Sequence, residues 1–173
     1  RASDIERWAG GVPVVRCMPN RPALQGCGMT SLYAADSVSS AYRKTAEDIL
    51  SAVGATLWLT EEDQMDAVTA LSGSGPAYFF LLIEMMEDAS VALGLPRDVS
   101  RKLAIETAYG SGCMAREATD SPATLRQQVT SKGGTTEAAL KHLEAHQVRS
   151  LFAEAIATAS RRSAELAREL GRS

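Results

Sequence analysis

The chain is 173 residues long and 45% hydrophobic but only 5% aromatic, and 18 Lys and Arg against 21 Asp and Glu leave it a net charge of −3. That length buries a real core, as one domain or as a domain with part of another, and the composition suits a helix-rich protein rather than a β-sandwich. No basic field is present to recruit nucleic acid or an anionic membrane surface, and no apolar run approaches the ~20 residues that span a bilayer, so neither partner is expected.

Cys17, Cys27 and Cys113 lie far apart, which argues against a disulfide framework or a zinc site and makes reduced thiols the default. No charged-then-apolar leader opens the chain at Arg1, so the expected location is cytoplasmic.

In chain order, Ala2 to Trp8 reads as a short helix stopped by Gly10-Gly11, and Val12 to Cys17 as a strand with Pro13 near its start. Met18-Pro19-Asn20 is then a loop leaving a strand end. Gly28 to Ala34 is a second strand, and Ser39 to Val53 an amphipathic helix with Ala41, Ala46, Ile49, Leu50 and Val53 inward. Ala55 to Leu59 is a third strand, an alternation that points to an α/β layered sheet. Beyond Thr60 the strand signal ends. Glu61 to Ala70 reads as a helix capped by Thr60, and Ser72-Gly73-Ser74-Gly75-Pro76 as a break or kink, since Pro76 suits the first turn of a new helix.

Ala77 to Leu93 is apolar on nearly every side and should be buried all round; in so small a domain, other subunits would supply its cover. Arg97 to Ala118, Pro122 to Gln128 and Ser150 to Leu170 are further helices. Ala153, Ile156, Ala157, Ser160 and Ala164 give the last one small residues for close packing.

The stretch Val129-Thr130-Ser131-Lys132-Gly133-Gly134-Thr135-Thr136-Glu137 is a tight polar loop running into an amphipathic helix. Its glycines let the backbone turn and bring amides close to a ligand. Thr135 or Thr136 is a good N-cap, Glu137 is favourable in the first turn, and Ala139, Leu140 and Leu143 mark a buried face. Unpaired N–H groups at such a junction form a cradle for a carboxylate or phosphate, although an ordinary capped turn has the same spacing. His142 and His146 share one helix face, but no third ligand accompanies them, so no metal is expected. Ser72 to Pro76 fails the spacing of a serine-nucleophile elbow.

Thr130-Ser131-Lys132-Gly133-Gly134-Thr135-Thr136, with Ala139-Leu140 and Leu143-Glu144 behind it, resembles the signature of the pyrroline-5-carboxylate reductases, the last enzymes of proline biosynthesis. Leu71-Ser72-Gly73-Ser74-Gly75-Pro76-Ala77-Tyr78 and Val15-Arg16-Cys17-Met18-Pro19-Asn20 are similar to family motifs in the same order. The resemblance covers nearly the whole chain. It implies residues 1–60 as the C-terminal part of a Rossmann-type NAD(P)-binding domain and residues 61–173 as an all-helical dimerisation and substrate-binding domain.

It also implies a homodimer or higher homo-oligomer that reduces 1-pyrroline-5-carboxylate to L-proline with NADPH or NADH. The alternatives are a helical oligomerisation fragment without activity and a related dehydrogenase acting on a 2-hydroxy or keto acid. The glycine fingerprint that dinucleotide binding requires is missing: Gly26-Cys27-Gly28-Met29-Thr30-Ser31 lacks its last glycine and precedes a strand. The chain is therefore expected to be the C-terminal part of a longer enzyme.

By motif match, Ser131, Gly133, Gly134 and Thr135 hold the substrate carboxylate, and Thr136 hydrogen-bonds the ring nitrogen as the catalytic residue. Glu62 matches an acidic position that accepts from the substrate N–H, or is simply a favourable charge at a helix start. Met18, Pro19, Asn20 and Gln128 match positions at the cofactor. Arg16 is expected to be structural, as a buried cation that must be paired. Arg21 and Lys132 depart from the usual threonine and proline.

Overall fold

A computed structural model describes residues 1–171. The chain forms two compact units, Arg1–Pro76 with Ala153–Ser173, and Ala77–Phe152.

The first unit is organised on a three-stranded sheet in the order β1-β2-β3, with β1 at Val15–Met18, β2 at Gly28–Ala34 and β3 at Gly54–Trp58. Leu32 is fully buried, with Thr30, Ser31 and Ala34 beside it in the same strand. Helix α2, Ser40–Ser51, links β2 to β3, and Ser39 caps it by accepting from the Tyr42 amide. β3 runs parallel to β2, pairing Gly28 with Gly54 and Leu32 with Trp58, so β2-α2-β3 is a βαβ unit. β1 runs antiparallel, pairing Val15 with Ala34 and Met18 with Ser31.

The sheet is thus small and mixed, where an α/β layering was expected. The first strand begins at Val15 rather than Val12, after Pro13, whose missing N–H contributes nothing to a ladder. The inward face of α2 is narrower than its pattern suggests. Ala46 and Leu50 are half-buried, whereas Ala41, Ile49 and Val53 stay exposed, because one small sheet covers only part of the helix surface.

Helix α1, Ala2–Trp8, matches its expected span. Its Asp4 carboxylate lies against Gly171 at the end of α8, Val148–Gly171, and Arg7 donates to the Gly171 carbonyl at 3.3 Å. Ser163 of α8 donates to Asp66 at 2.7 Å. Asp66 belongs to α3, Gln64–Val68, whose Met65 is buried. That helix starts later than the expected Glu61, and Asp63 rather than Thr60 is its N-cap residue. The reason lies in side-chain partners: the Glu62 carboxylate is drawn to Arg16 and to α1, and Asp63 to Arg1.

Of the break or kink expected at Ser72–Pro76, the break does not occur: a π-helical turn, Thr69–Gly73, runs into α4, Gly75–Ala92. A π turn absorbs the bend without ending the helix. One continuous helical run, Gln64–Ala92, is consequently 29 residues long and apolar enough to cross a bilayer by length and composition. This corrects the expectation of no such run: the serines and glycines interrupt the apolar sequence but not the helix.

The second unit contains α4 from Ala77 onward, α5 at Arg97–Glu117, α6 at Pro122–Gln128, α7 at Thr135–Ala145 and the start of α8. Pro96 precedes α5 and Pro122 opens α6, with Ser121 accepting from the Thr124 amide at 3.2 Å. Glu87 of α4 is buried and receives Arg97 at 2.9 Å and Arg101 at 3.1 Å from α5. Those guanidiniums, Arg101 first, hold its carboxyl below the usual carboxylate range.

Helix α4 is not buried all round in the single chain, for Phe79 is 65% and Phe80 64% exposed. Helix α7 has no buried residue: Ala139 and Leu143 are exposed and Leu140 is half-buried. Both faces lack cover because few of the chain's own apolar side chains reach them.

Candidate active-site loop

The loop between α6 and α7 is built from three local hydrogen bonds. The Thr130 hydroxyl donates back to the Arg126 carbonyl at 2.6 Å, fastening the loop to the last turn of α6. The Gly134 amide donates to the Ser131 carbonyl at 3.0 Å, closing a β-turn over Ser131–Gly134. Gly133, third in that turn, has φ +74°, a conformation that costs a glycine nothing. Its amide donates to Glu137 Oε2 at 2.6 Å, and Lys141 Nζ lies 3.2 Å from Oε1 of the same carboxylate. The Gly133 amide first, and Lys141 second, hold the Glu137 carboxyl below its ordinary value.

The helix therefore starts one residue earlier than expected. Its N-cap is Gly134, with Thr135 and Thr136 in the first turn, and neither threonine hydroxyl caps it. Glu137 takes over part of that work from the third helical position, in the manner of the acidic half of a capping box. A Cβ on Gly134 would lie 2.6 Å from Ser131 Oγ and 3.1 Å from Ser131 O. The first glycine is thus required by conformation, whereas a side chain at the second would need only the Ser131 hydroxyl to turn aside and a small shift of its carbonyl.

The amides of both glycines, expected to face a ligand, each have an internal acceptor in this chain. Among the described residues, no group accepts from the amides of Thr135 and Thr136, the first two positions of α7. Ser131, Thr135 and Thr136 are all exposed. The loop thus offers two unpaired helix-start amides and three hydroxyls within six residues, an arrangement that suits a carboxylate. Behind it lies a hollow of about 360 Å³ lined by Arg126, Gln127, Thr130, Glu137, Leu140, Lys141 and Glu144, with both signs of charge balanced. Gln128 donates from Nε2 to Asp120 at 2.9 Å.

In the first unit, Met18 ends β1, and Pro19 and Asn20 follow it. Asn20 Oδ1 accepts from the Met29 amide at 2.9 Å, and its Nδ2 donates to the Ser72 carbonyl at 3.1 Å. Asn20 therefore ties the loop after β1 to the start of β2 and to the π turn. Sequence reasoning missed this link, for which the only signal was the dense Ser-Gly alternation at 72–75. Because β1 is antiparallel to β2, its C-terminal end lies at the opposite end of the sheet from those of β2 and β3.

Glu62 Oε1 accepts from Arg16 Nη1 at 2.7 Å and from the Ala2 amide at 2.6 Å, and both charged side chains are only 15% exposed. Arg16 thus has the partner that its burial demands. The helix start that Glu62 serves is that of α1. His142 and His146 stack with ring centroids 4.3 Å apart, and among the described residues no group of three or more His, Cys, Asp or Glu could hold a metal.

Residues 62–166 match the family model described as pyrroline-5-carboxylate reductase dimerisation. The chain is 52% identical over 170 residues to the pyrroline-5-carboxylate reductase of Pseudomonas aeruginosa, covering 98% of this chain and 62% of that protein. The Synechocystis enzyme of the same name is 42% identical over 169 residues, covering 96% and 63%. Among solved structures, a pyrroline-5-carboxylate reductase from Coxiella burnetii superposes with a TM-score of 0.90 at 44% identity, covering 94% of this chain and 60% of that one. The Plasmodium falciparum enzyme, solved with NADP bound, gives 0.83 at 33%, covering 92% and 64%. The chain spans about three fifths of the length of these relatives, and the residues that carry the glycine turn lie inside the matched family model. It belongs to the pyrroline-5-carboxylate reductase family.

Proposed function

We propose that the whole protein reduces 1-pyrroline-5-carboxylate to L-proline and that the loop at Ser131–Thr136 binds the substrate. One observation carries this reading: the two glycines close a turn on themselves and leave the Thr135 and Thr136 amides unpaired at a helix start, beside three exposed hydroxyls. A small cyclic imine with a carboxylate needs such a set of donors. The carboxylate takes the Thr135 and Thr136 amides and the Ser131 hydroxyl. The Thr136 hydroxyl faces the ring nitrogen, orienting the C=N bond and hydrogen-bonding the amine as it forms. Gly133 and Gly134 contribute the shape of the loop.

The hydride comes from a nicotinamide cofactor, NADPH or NADH. Among the described residues no glycine-rich turn follows a strand and opens a helix, so these residues do not hold the cofactor's pyrophosphate. Met18, Pro19 and Asn20 are proposed for the nicotinamide side and Gln128 for an outer cofactor contact. Asn20 acts there through the shape of its loop, because both ends of its amide are engaged. Glu62 remains a proposed substrate contact through Oε2, its other oxygen being taken by Arg16 and Ala2.

Residues 1–60 then form the C-terminal part of a Rossmann-type domain, which the βαβ unit supports. Residues 61–173 form the helical dimerisation domain, supported by the absence of strands after Trp58 among the described residues and by a family match that starts at 62. The exposed Phe79 and Phe80 suit a homodimer or larger homo-oligomer in the cytoplasm better than a lipid-facing helix, given that family description.

The test is proline formation from pyrroline-5-carboxylate and NADPH by the whole protein. Thr136→Ala is expected to lower kcat at least tenfold, on the order expected for an orienting hydrogen bond to the reacting atom, with the melting temperature unchanged. Turnover within twofold of wild type excludes Thr136 from the chemistry.

A further inference from the structure

We infer that Glu137 is a positioning residue for the substrate loop, with Lys141 holding it in place; this rests on the reading of Ser131–Thr136 as the carboxylate site. The loop has two glycine amides that would otherwise compete for an incoming anion. Gly134 gives its amide to Ser131 O, a bond internal to the turn. Gly133 gives its amide to a side chain, Glu137 Oε2 at 2.6 Å, one helical turn into α7. That bond fixes the left-handed Gly133 at φ +74° and so sets where the chain enters α7. The amides left over, of Thr135 and Thr136, follow immediately.

The same carboxylate is pinned from its other oxygen by Lys141, four residues further along the helix and 3.2 Å away. An i, i+4 pair with the acid on the N-terminal side is the favourable order. Arg126 and Glu144 share the hollow with Glu137 and Lys141. Glu144 is itself held by Arg149 at 2.7 Å, so it does not displace Glu137 from Lys141.

Placing a negative charge close to an anion site costs affinity through repulsion. Here the charge is neutralised locally by Lys141 and by the amide it accepts from, so what remains is the geometric effect. Glu137 therefore works through the loop and need not touch the substrate.

The experiment uses the whole protein and compares Glu137→Ala, Glu137→Gln and Lys141→Met with Gly133→Ala, which strains the turn directly by putting a side chain on a backbone at φ +74°. Steady-state parameters are measured for pyrroline-5-carboxylate and for NADPH, and melting temperature is followed in parallel. Glu137→Ala is expected to raise KM for pyrroline-5-carboxylate about tenfold, leaving KM for NADPH unchanged and lowering the melting temperature only slightly. Glu137→Gln, which keeps an oxygen acceptor, is expected to stay within threefold of wild type, and Lys141→Met to fall between the two. If Gly133→Ala raises this KM and Glu137→Ala does not, the role of Glu137 is overturned while the loop remains the substrate site. If neither moves it, the reading of the loop falls as well. A glutamine variant as impaired as the alanine also overturns the inference, because the amide's acceptor would then not be what matters.

Discussion

Strand β2 and helix α7 each carry apolar side chains, and they end in opposite circumstances. β2 has β1 on one side, β3 on the other and α2 packed on it, and its Leu32 is 0% exposed. Helix α7 has no buried residue, and its Leu143 is 47% exposed. Periodicity identifies which face of an element is apolar. It does not say whether the same chain supplies the cover. The strand belongs to a unit that closes on itself; the helix carries an exposed polar loop at one end and an apolar flank along its side.

The largest effect that sharpens this contrast belongs to the edge where β2 meets β3. Gly54 has φ +148°, and a Cβ there would sit 2.1 Å from the Gly28 carbonyl oxygen. Gly54→Ala therefore has to break the Gly28–Gly54 pairing and is expected to destabilise the first unit by about 3–5 kcal/mol, the range of severe single-site damage. An unfolding free energy from urea titration lowered by less than about 1 kcal/mol would show that the two strands separate cheaply. Leu32→Ala comes next, at about 3 kcal/mol for a fully enclosed leucine. Leu143→Ala should cost no more than about 1 kcal/mol if only its own chain covers it. A larger loss at Leu143 that grows with protein concentration would reveal a second copy packed on α7 and so break the contrast.

The features that could be read from the sequence are those fixed by neighbours along the chain. Ala2–Trp8, Gly28–Ala34 and Pro122–Gln128 were bounded by glycine, proline and capping residues, and their spans agree with the structure. Arg16 was identifiable as needing a partner because a cation in a strand cannot be left unpaired. That the partner is Glu62, 46 positions away, is set by tertiary packing, and no local rule points to it.

Strand direction is of the same kind: nothing between Val15 and Met18 distinguishes an antiparallel edge from a parallel one. The π turn escaped for a different reason. Ser72-Gly73-Ser74-Gly75-Pro76 is the composition of a helix break, but a shift to wider hydrogen-bond spacing lets the helix continue. At the loop, the two threonines were the better caps by propensity, but Gly133 and Gly134 turn tightly enough to start the helix before them. Sequence rules pointed to the residues of that loop as a group, but no local rule showed that Glu137 accepts from the Gly133 amide.

The smallest effect is the most specific to α7, and it concerns acid. The Glu137 carboxyl is held below its ordinary value of 4.5, by the Gly133 amide first and by Lys141 second. A carboxyl lowered in the folded state binds protons less readily there than in the unfolded chain. Its contribution is therefore fully present above about pH 4.5 and is lost as pH falls through the lower, folded value. Glu144 titrates in the same window, but Arg149 holds its own carboxyl low, and it is common to wild type and variant. The difference in melting temperature between wild type and Glu137→Gln should accordingly be constant from neutral pH down to about 4.5 and shrink below it. A carbon-13 titration of the Glu137 carboxyl should find its midpoint below the ordinary value, and Lys141→Met should bring it only part of the way back. Full recovery in that variant would mean that the lysine, not the Gly133 amide, carries the shift, and the hydrogen bond that shapes the loop would lose its main physical support.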